Sequence, residues 1–296
     1  MSNAAAIWPG QAFHAVPIRW VVLLLLALLV SSCTTRFFYD RIDWFIVWKV
    51  GDFVSLDTEQ RETLQSDIQQ RLDVLRVNEF PELAALLEQT ARDVEAGGVT
   101  AELIDDRYVQ MLEAYDRFML GVVPLTRRFL SDLSDEQVQE LFASFEEVNA
   151  EMYEEYSGRT ATEREKNRNR SAIKGMQEYT GRLNEEQREI IRAGLARMED
   201  ASEQWIANQR EWQVRFRQLI ESRPEPQTFN DELTLLLVYP RHFHSPEYRA
   251  TVDANRQIFN EMFAELLDSL SERQRARAVR KLDNYVGLLN KLAASD

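Results

Sequence analysis

Cysteine is all but absent from this chain: Cys33 is the only one. No internal disulfide can form, so stability has to come from packing. Histidine is nearly as scarce, with His14, His242 and His244. A zinc site needs three or four ligands, and no second cysteine or spaced acid pair stands near His242 and His244 to complete one. The chain has no P-loop, no glycine-rich dinucleotide turn, no Gly-x-Ser-x-Gly and no HExxH. The common nucleotide-binding, esterase and metalloprotease signatures are therefore missing, and no cofactor or metal is expected. Alternation of strand type is nowhere sustained and glycine is sparse, which points to an all-α fold. Cations are also in deficit, with 35 Lys and Arg against 49 Asp and Glu. A chain this acidic is a poor general binder of nucleic acid or of anionic headgroups.

Long hydrophobic runs are limited to one. Trp20 to Val30 is apolar for 11 residues, short of the ~20 that a spanning helix needs. It follows Arg19 and leads into Val30-Ser31-Ser32-Cys33. Small residues just before a lone cysteine resemble a lipobox, in which the thiol is acylated and the chain is cut before it. Residues 1–32 thus read as a lipoprotein signal peptide and 33–296 as an all-helical periplasmic domain, with Cys33 as the lipidation site. A secretory leader with an incidental cysteine, or a short uncleaved anchor, is the competing reading. In bacterial lipoproteins an Asp after the cysteine commonly retains the protein at the inner membrane. Thr34 stands there, which implies the inner leaflet of the outer membrane, facing the periplasm.

What the chain does have is one string written four times. Leu56-Asp57-Thr58-Glu59-Gln60, Leu133-Ser134-Asp135-Glu136-Gln137, Leu183-Asn184-Glu185-Glu186-Gln187 and Leu270-Ser271-Glu272-Arg273-Gln274 share a leucine, a small polar residue and a glutamine three positions later. Asp, Ser and Asn are strong N-caps, and Gln at the third helical position closes a capping box. The strings therefore mark four helix starts. The last three lie between helical patterns and read as hairpin turns, bringing Phe129 to Leu141, Tyr179 to Ile191 and Leu267 to Val279. A layout of about ten helices built from hairpins follows, with spacings too irregular for a solenoid.

Phe37 to Phe53 is rich in aromatics, and Ile42, Phe45 and Ile46 recur at helical spacing. This short helix is either the first core helix or an interfacial helix resting on the bilayer beside the acyl chains. Pro81 suits a first helical position, Gly97-Gly98 ends that helix and Thr100 caps the next. Gly121 to Pro124 should kink or break the helix it falls in. Residues 157–170 are the candidate sub-boundary, with Thr162 and Glu165 forming a further capping box. From Ile191 through Trp205, Trp212 and Phe216 to Leu219 a heptad-like seam predicts one long helix over 184–222, about 58 Å at 1.5 Å per residue, hence an elongated molecule. Trp205 and Trp212 are core on that seam, or a ridge for a partner helix if exposed. Ser245-Pro246 reads as a cap followed by a first-turn proline.

Arg273, Arg275, Arg277, Arg280 and Lys281 are the densest cationic cluster. They either pair with the acidic faces of neighbouring helices or dock a phosphate-bearing lipid or an acidic partner. Arg273, Arg277 and Arg280 are the candidate partner-binding residues. The many glutamates fall on outer faces, where solvation accounts for them without catalysis.

Tyr39-Asp40-Arg41-Ile42-Asp43-Trp44 with Trp48, Glu79-Phe80-Pro81, the Leu-Ser-x-x-Gln strings, and Tyr239-Pro240 before Ser245-Pro246-x-Tyr248 resemble a family of Gram-negative outer-membrane lipoproteins of unknown function. Its members tend to carry a Trp-His pair before the Glu-x-Pro, where Arg76-Val77 stands here. The resemblance implies location and fold, and no activity. The glutamine strings alone are also similar to those of periplasmic stress chaperones of the Spy type. The expectation is a lipid-anchored envelope scaffold or protein-binding factor rather than an enzyme, with an unidentified envelope protein as partner. A periplasmic holdase is the alternative, and a carboxylate-dependent hydrolase the second alternative.

Overall fold

The computed structural model describes residues 41–294, and within them the chain is helical, with no strand. The helices are α1 (Ile42–Val50), α2 (Thr58–Val74), a π-turn (Leu75–Glu79), α3 (Phe80–Ala96), α4 (Ala101–Ser131), α5 (Asp135–Ser157) and α6 (Ala161–Thr180). They continue as α7 (Glu185–Arg197), α8 (Ser202–Ser222), α9 (Pro226–Leu237), a 3-10 turn (Pro240–Phe243), α10 (Pro246–Asp268) and α11 (Glu272–Ala293). The all-α, multi-helix expectation holds.

The four repeated strings open α2, α5, α7 and α11, each with both bonds of its capping box in place. The boxes also meet in pairs. Gln60 Nε2 donates to Gln137 Oε1 at 2.9 Å, and Gln137 Nε2 donates back to Gln60 Oε1 at 2.6 Å. Gln187 and Gln274 exchange the same two bonds at 3.0 and 2.9 Å. Each glutamine then gives its second amide hydrogen to the carbonyl just before the partner's leucine: Asp132, Ser55, Ser269 and Arg182. Each Oε1 also accepts its own N-cap N–H, from Asp57, Ser134, Asn184 or Ser271. Every amide is thus filled, with at least two bonds accepted and two donated. Leu56, Leu133, Leu183 and Leu270 are buried beneath these two clasps.

The clasps revise the hairpin layout. α6 and α7 do pack side by side, but α4 and α5, and α10 and α11, diverge from their turns, and α11 lies along α3 instead. The clasps hold corner to corner, Leu56–Gln60 against Leu133–Gln137 and Leu183–Gln187 against Leu270–Gln274, and leave the helices beyond each corner to the apolar stripes they meet. The single helix over 184–222 is also corrected. Met198 is extended (φ −79°, ψ 138°), which ends α7, and α8 begins at Ser202. The break is held from outside. Asn255 of α10 accepts Glu199 N–H and donates to Glu199 O, both at 2.9 Å, while Asp200 accepts from the Ser202 N–H.

Three smaller expectations change. α4 continues through Pro124 as one helix. The cap of α6 is Thr160 with Glu163, not Thr162 with Glu165. α2 and α3 run on through the π-turn without a loop, and Pro81 sits in the first turn of α3. Pro81 has no N–H to give, and the wider turn, in which Phe80 N–H reaches Leu75 O, accommodates it. Gly97 and Gly98, both at positive φ, end α3, and Thr100 and Ser245 cap α4 and α10 as expected.

Beside the π-turn lies a buried ion pair. Arg71, 8% exposed, gives Nη2 to Glu79 Oε2 at 2.8 Å and to Phe118 O at 3.0 Å. Its guanidinium lies over the Phe118 ring and against Gly121, where a Cβ would collide with it. Glu79, read as part of a family motif, is the counter-ion of this arginine.

Among the described residues the core falls into three apolar clusters. Leu64, Ile68, Met119, Leu141, Phe142, Phe216, Leu219 and Leu233 belong to the largest, between α2, α4, α5, α8 and α9. Phe80 and Ala84 of α3 meet Leu289 and Leu292 of α11 in the second, and Ile191 and Leu195 of α7 meet Met262 and Leu266 of α10 in the third.

α1 is fixed to α2 through Asp43. Gln65 and Gln69 both donate to its Oδ2 at 2.7 Å. Burial pushes the Asp43 carboxyl up, but bonds from Gln65, the Trp44 backbone and Gln69 outweigh it and hold the group below the ordinary aspartate value. Asp43→Asn should therefore lower stability by about 1 kcal/mol near neutral pH, the difference between a charged and a neutral acceptor. A group with a depressed folded pKa contributes above its unfolded value and loses that contribution as pH falls through the folded one. Melting curves of wild type and variant should accordingly converge in acid.

Candidate functional site

The basic half of α11 is built by the second clasp. Gln274 bonded to Arg182 O fixes the start of the helix beside the turn between α6 and α7. Arg273, Arg277 and Arg280 recur at spacings of four and three, so they share one stripe of the helix. All three are exposed, and none forms an ion pair or hydrogen bond among the described residues. The alternative that neighbouring acidic faces neutralise them is not what the structure shows. Arg277 passes over Gly181, its Cδ 3.4 Å from where a glycine Cβ would stand. Gly181 takes φ +81°, and the exposed Arg182 follows it, adding a fourth cation that the sequence reading did not single out. Only the clasp, which joins residues far apart in the chain, brings it there.

Two other members of the cluster do different work. Arg275 turns inward, with Nη1 on Val94 O at 3.0 Å and Nη2 on Leu267 O at 3.3 Å. Those carbonyls lie in the last turns of α3 and α10, the negative ends of two helix dipoles. Lys281 lies over the Tyr285 ring, 5.4 Å from its centroid. The cationic cluster is thus one inward strut, one ring contact and one outward stripe.

The remaining candidates are structural. His242 meets the edge of Phe243, and His244 packs on Tyr248 with ring centres 4.8 Å apart. Among the described residues no group of three or more His, Cys, Asp or Glu is placed to hold a metal ion. Trp212 donates its indole N–H to Leu236 O at 2.8 Å and stacks on Phe216. Trp205 is half-buried beside Phe243, His244 and Tyr248, in a shallow cleft between α8 and the start of α10. The two tryptophans therefore belong to the packed seam rather than to a free ridge.

Several carboxylates carry shifted acidities, all downward. The Ser55 hydroxyl and N–H hold Glu140 below the ordinary range. Burial raises Asp200, but Ser202 and Arg164 outweigh it. Arg197 lowers Glu261. None of these is the raised acid that general-acid chemistry calls for. Cys33 and the leader lie outside the described residues, and so do Phe37, Phe38 and Tyr39. Among the described residues no helix is long and apolar enough to cross a membrane.

Comparison with known proteins gives one finding. A family of unknown function, DUF6279, matches residues 52–249. That span runs from just before α2 into α10 and leaves α1 and α11 outside it. No curated protein matches, and no solved structure does.

Proposed function

The chain belongs to this family of unknown function, and from that premise we propose that it is a lipid-anchored envelope protein that binds an acidic partner rather than catalysing a reaction. The observation that carries the reading is the outward stripe of Arg273, Arg277 and Arg280, unpaired on a chain with a large surplus of acid. Exposed arginines with no counter-ion are common anchors for carboxylates on another protein. The anchor reading is supported by the lipobox at Cys33, and Thr34, in place of the Asp that commonly retains lipoproteins at the inner membrane, supports the inner leaflet of the outer membrane, facing the periplasm. The likeness to Spy-type chaperones loses its force, because all four glutamines are fully bonded within the two clasps.

Crosslinking in intact envelopes, followed by recovery of the protein, tests the binding reading. One partner should be recovered with the wild type and reduced roughly ten-fold with Arg273→Glu, Arg277→Glu and Arg280→Glu combined, at unchanged melting temperature. Binding should also weaken as salt rises. Recovery of the same proteins with the triple variant would end the basic-face reading. The anchor is tested separately: Cys33→Ser should take up no radiolabelled palmitate and accumulate as precursor, and label on that variant would overturn it.

A further inference from the structure

We propose that the outer face of α1 lies on the lipid bilayer, its tryptophans seated among the headgroups. The proposal rests on the anchor reading for its setting and goes beyond it, since a lipid on Cys33 says nothing about which protein surface meets the membrane. α1 is apolar nearly all round: Ile42, Trp44, Phe45, Ile46, Val47, Trp48 and Val50 occupy seven of its positions. A helix apolar on every side is ordinarily covered on every side. Here the described residues cover one side only. Ile42, Asp43 and Val47 face inward, and Asp43 is bolted to Gln65 and Gln69 of α2. Phe45, expected to share the face of Ile42, lies on the other.

That other side is left to solvent, with Trp44 60%, Trp48 48% and Phe45 38% exposed. At ~200 Å² per aromatic side chain, these fractions leave about 300 Å² of contiguous ring surface in water, as much as the largest apolar patch on many monomers. Trp44 and Trp48 stack with ring planes 8° apart and centres at 6.5 Å, and Phe45 leans on Trp48 at 5.6 Å. The rings therefore form a pre-assembled plate. Lys49 Nζ sits 4.7 Å from the Trp48 ring centre and pairs with Asp52 at 2.9 Å, so a charged pair marks the margin of the plate.

Three observations choose a bilayer over a protein groove. Tryptophan is enriched at the membrane–water interface, where its amphipathic ring sits at the level of the headgroups. The nine residues of α1 are about 14 Å long, which suits lying in the interface and not crossing it. The chain from Cys33 to Arg41 spans at most about 29 Å when fully extended, so an acyl chain on Cys33 keeps this face within reach of the headgroups.

The test uses the processed chain on neutral phosphatidylcholine vesicles whose acyl chains carry bromine, a short-range quencher of tryptophan. Mass spectrometry and vesicle flotation report the anchor, and quenching reports α1. Trp44 and Trp48 are two of the four tryptophans after Cys33, so roughly half of the emission should be quenched, independently of salt, as interfacial seating requires. Trp44→Phe with Trp48→Phe should remove that component while leaving flotation and the helical melt unchanged. A chain that floats without quenching keeps the anchor and overturns this proposal. A chain that proves unacylated ends the anchor reading. Quenching at high lipid would then still support the seating of α1, and its lack would overturn it. Dimerisation that protects Trp44 and Trp48 without lipid would also overturn it, assigning the plate to a second copy of the chain.

Discussion

Gln187→Ala should lower stability by about 3 kcal/mol, the larger of the effects expected at the clasps. Gln187 is 1% exposed, and its amide serves Asn184 N–H, Ser269 O and both polar atoms of Gln274. Alanine leaves the Asn184 N–H and the Ser269 carbonyl without these bonds and strips Gln274 of its two bonds to Gln187, and it empties a side-chain site that is almost wholly buried. For a chain of this size the loss corresponds to a fall of roughly 8 °C in melting temperature. Gln60→Ala removes the same bonds from the other clasp, but Gln60 is only half-buried, and about 1–2 kcal/mol is expected there because solvent compensates. The pairing makes a second prediction. Gln187→Ala and Gln274→Ala together should cost little more than either alone, since each single change already opens the clasp. Additive losses would mean that the two boxes act as separate caps.

Glu79→Ala should be at least as damaging, at about 3–5 kcal/mol, because it strands a buried guanidinium. Arg71 would retain only the Phe118 carbonyl and ring. The diagnostic is the rescue. Arg71→Met in the Glu79→Ala background fills a similar volume without charge and should recover most of the loss. If Arg71→Met instead deepened the loss, the arginine would contribute through its hydrogen bonds and ring contact more than through neutralised charge. Denaturant melts with unchanged slope would establish that both variants unfold from the same native state as the wild type.

The helix starts were legible because capping is local: cap and glutamine lie three residues apart, within one turn. The clasps were not, because the same glutamine amide closes its own box and a second bond to a residue far away in the chain, and only the first has a local signature. The break before Ser202 was hidden for a related reason. The seam from Ile191 to Leu219 keeps helical spacing across it, and the group that holds it open is Asn255, on another helix. The Arg71–Glu79 pair was invisible in a different way. Residues eight apart do not share a face of a regular helix. One extra residue in the π-turn brings the pair round to where a spacing of seven would place it. The candidate site was half legible. A run of arginines says that charge is concentrated, but not that Arg275 turns inward while Arg273, Arg277 and Arg280 turn out. The two faces of α1 were unreadable because both are apolar, which is why core and interface could each claim the segment.

The pairing of α11 with α3 constrains the order in which the molecule can be made. Synthesis delivers α3 well before α11, yet Phe80 and Ala84 pack with Leu289 and Leu292. Until the final helix has emerged, that stripe stays bare, and Gln187 waits for Gln274 with its amide unmet. A nascent chain that has passed α5 but not yet reached Gln274 can close the first clasp but not the second. The emergence of α11 is therefore also the step that covers the apolar stripe of α3. A chain cut short by even its final helix should remain a substrate for proteases and chaperones, however complete its other helices are.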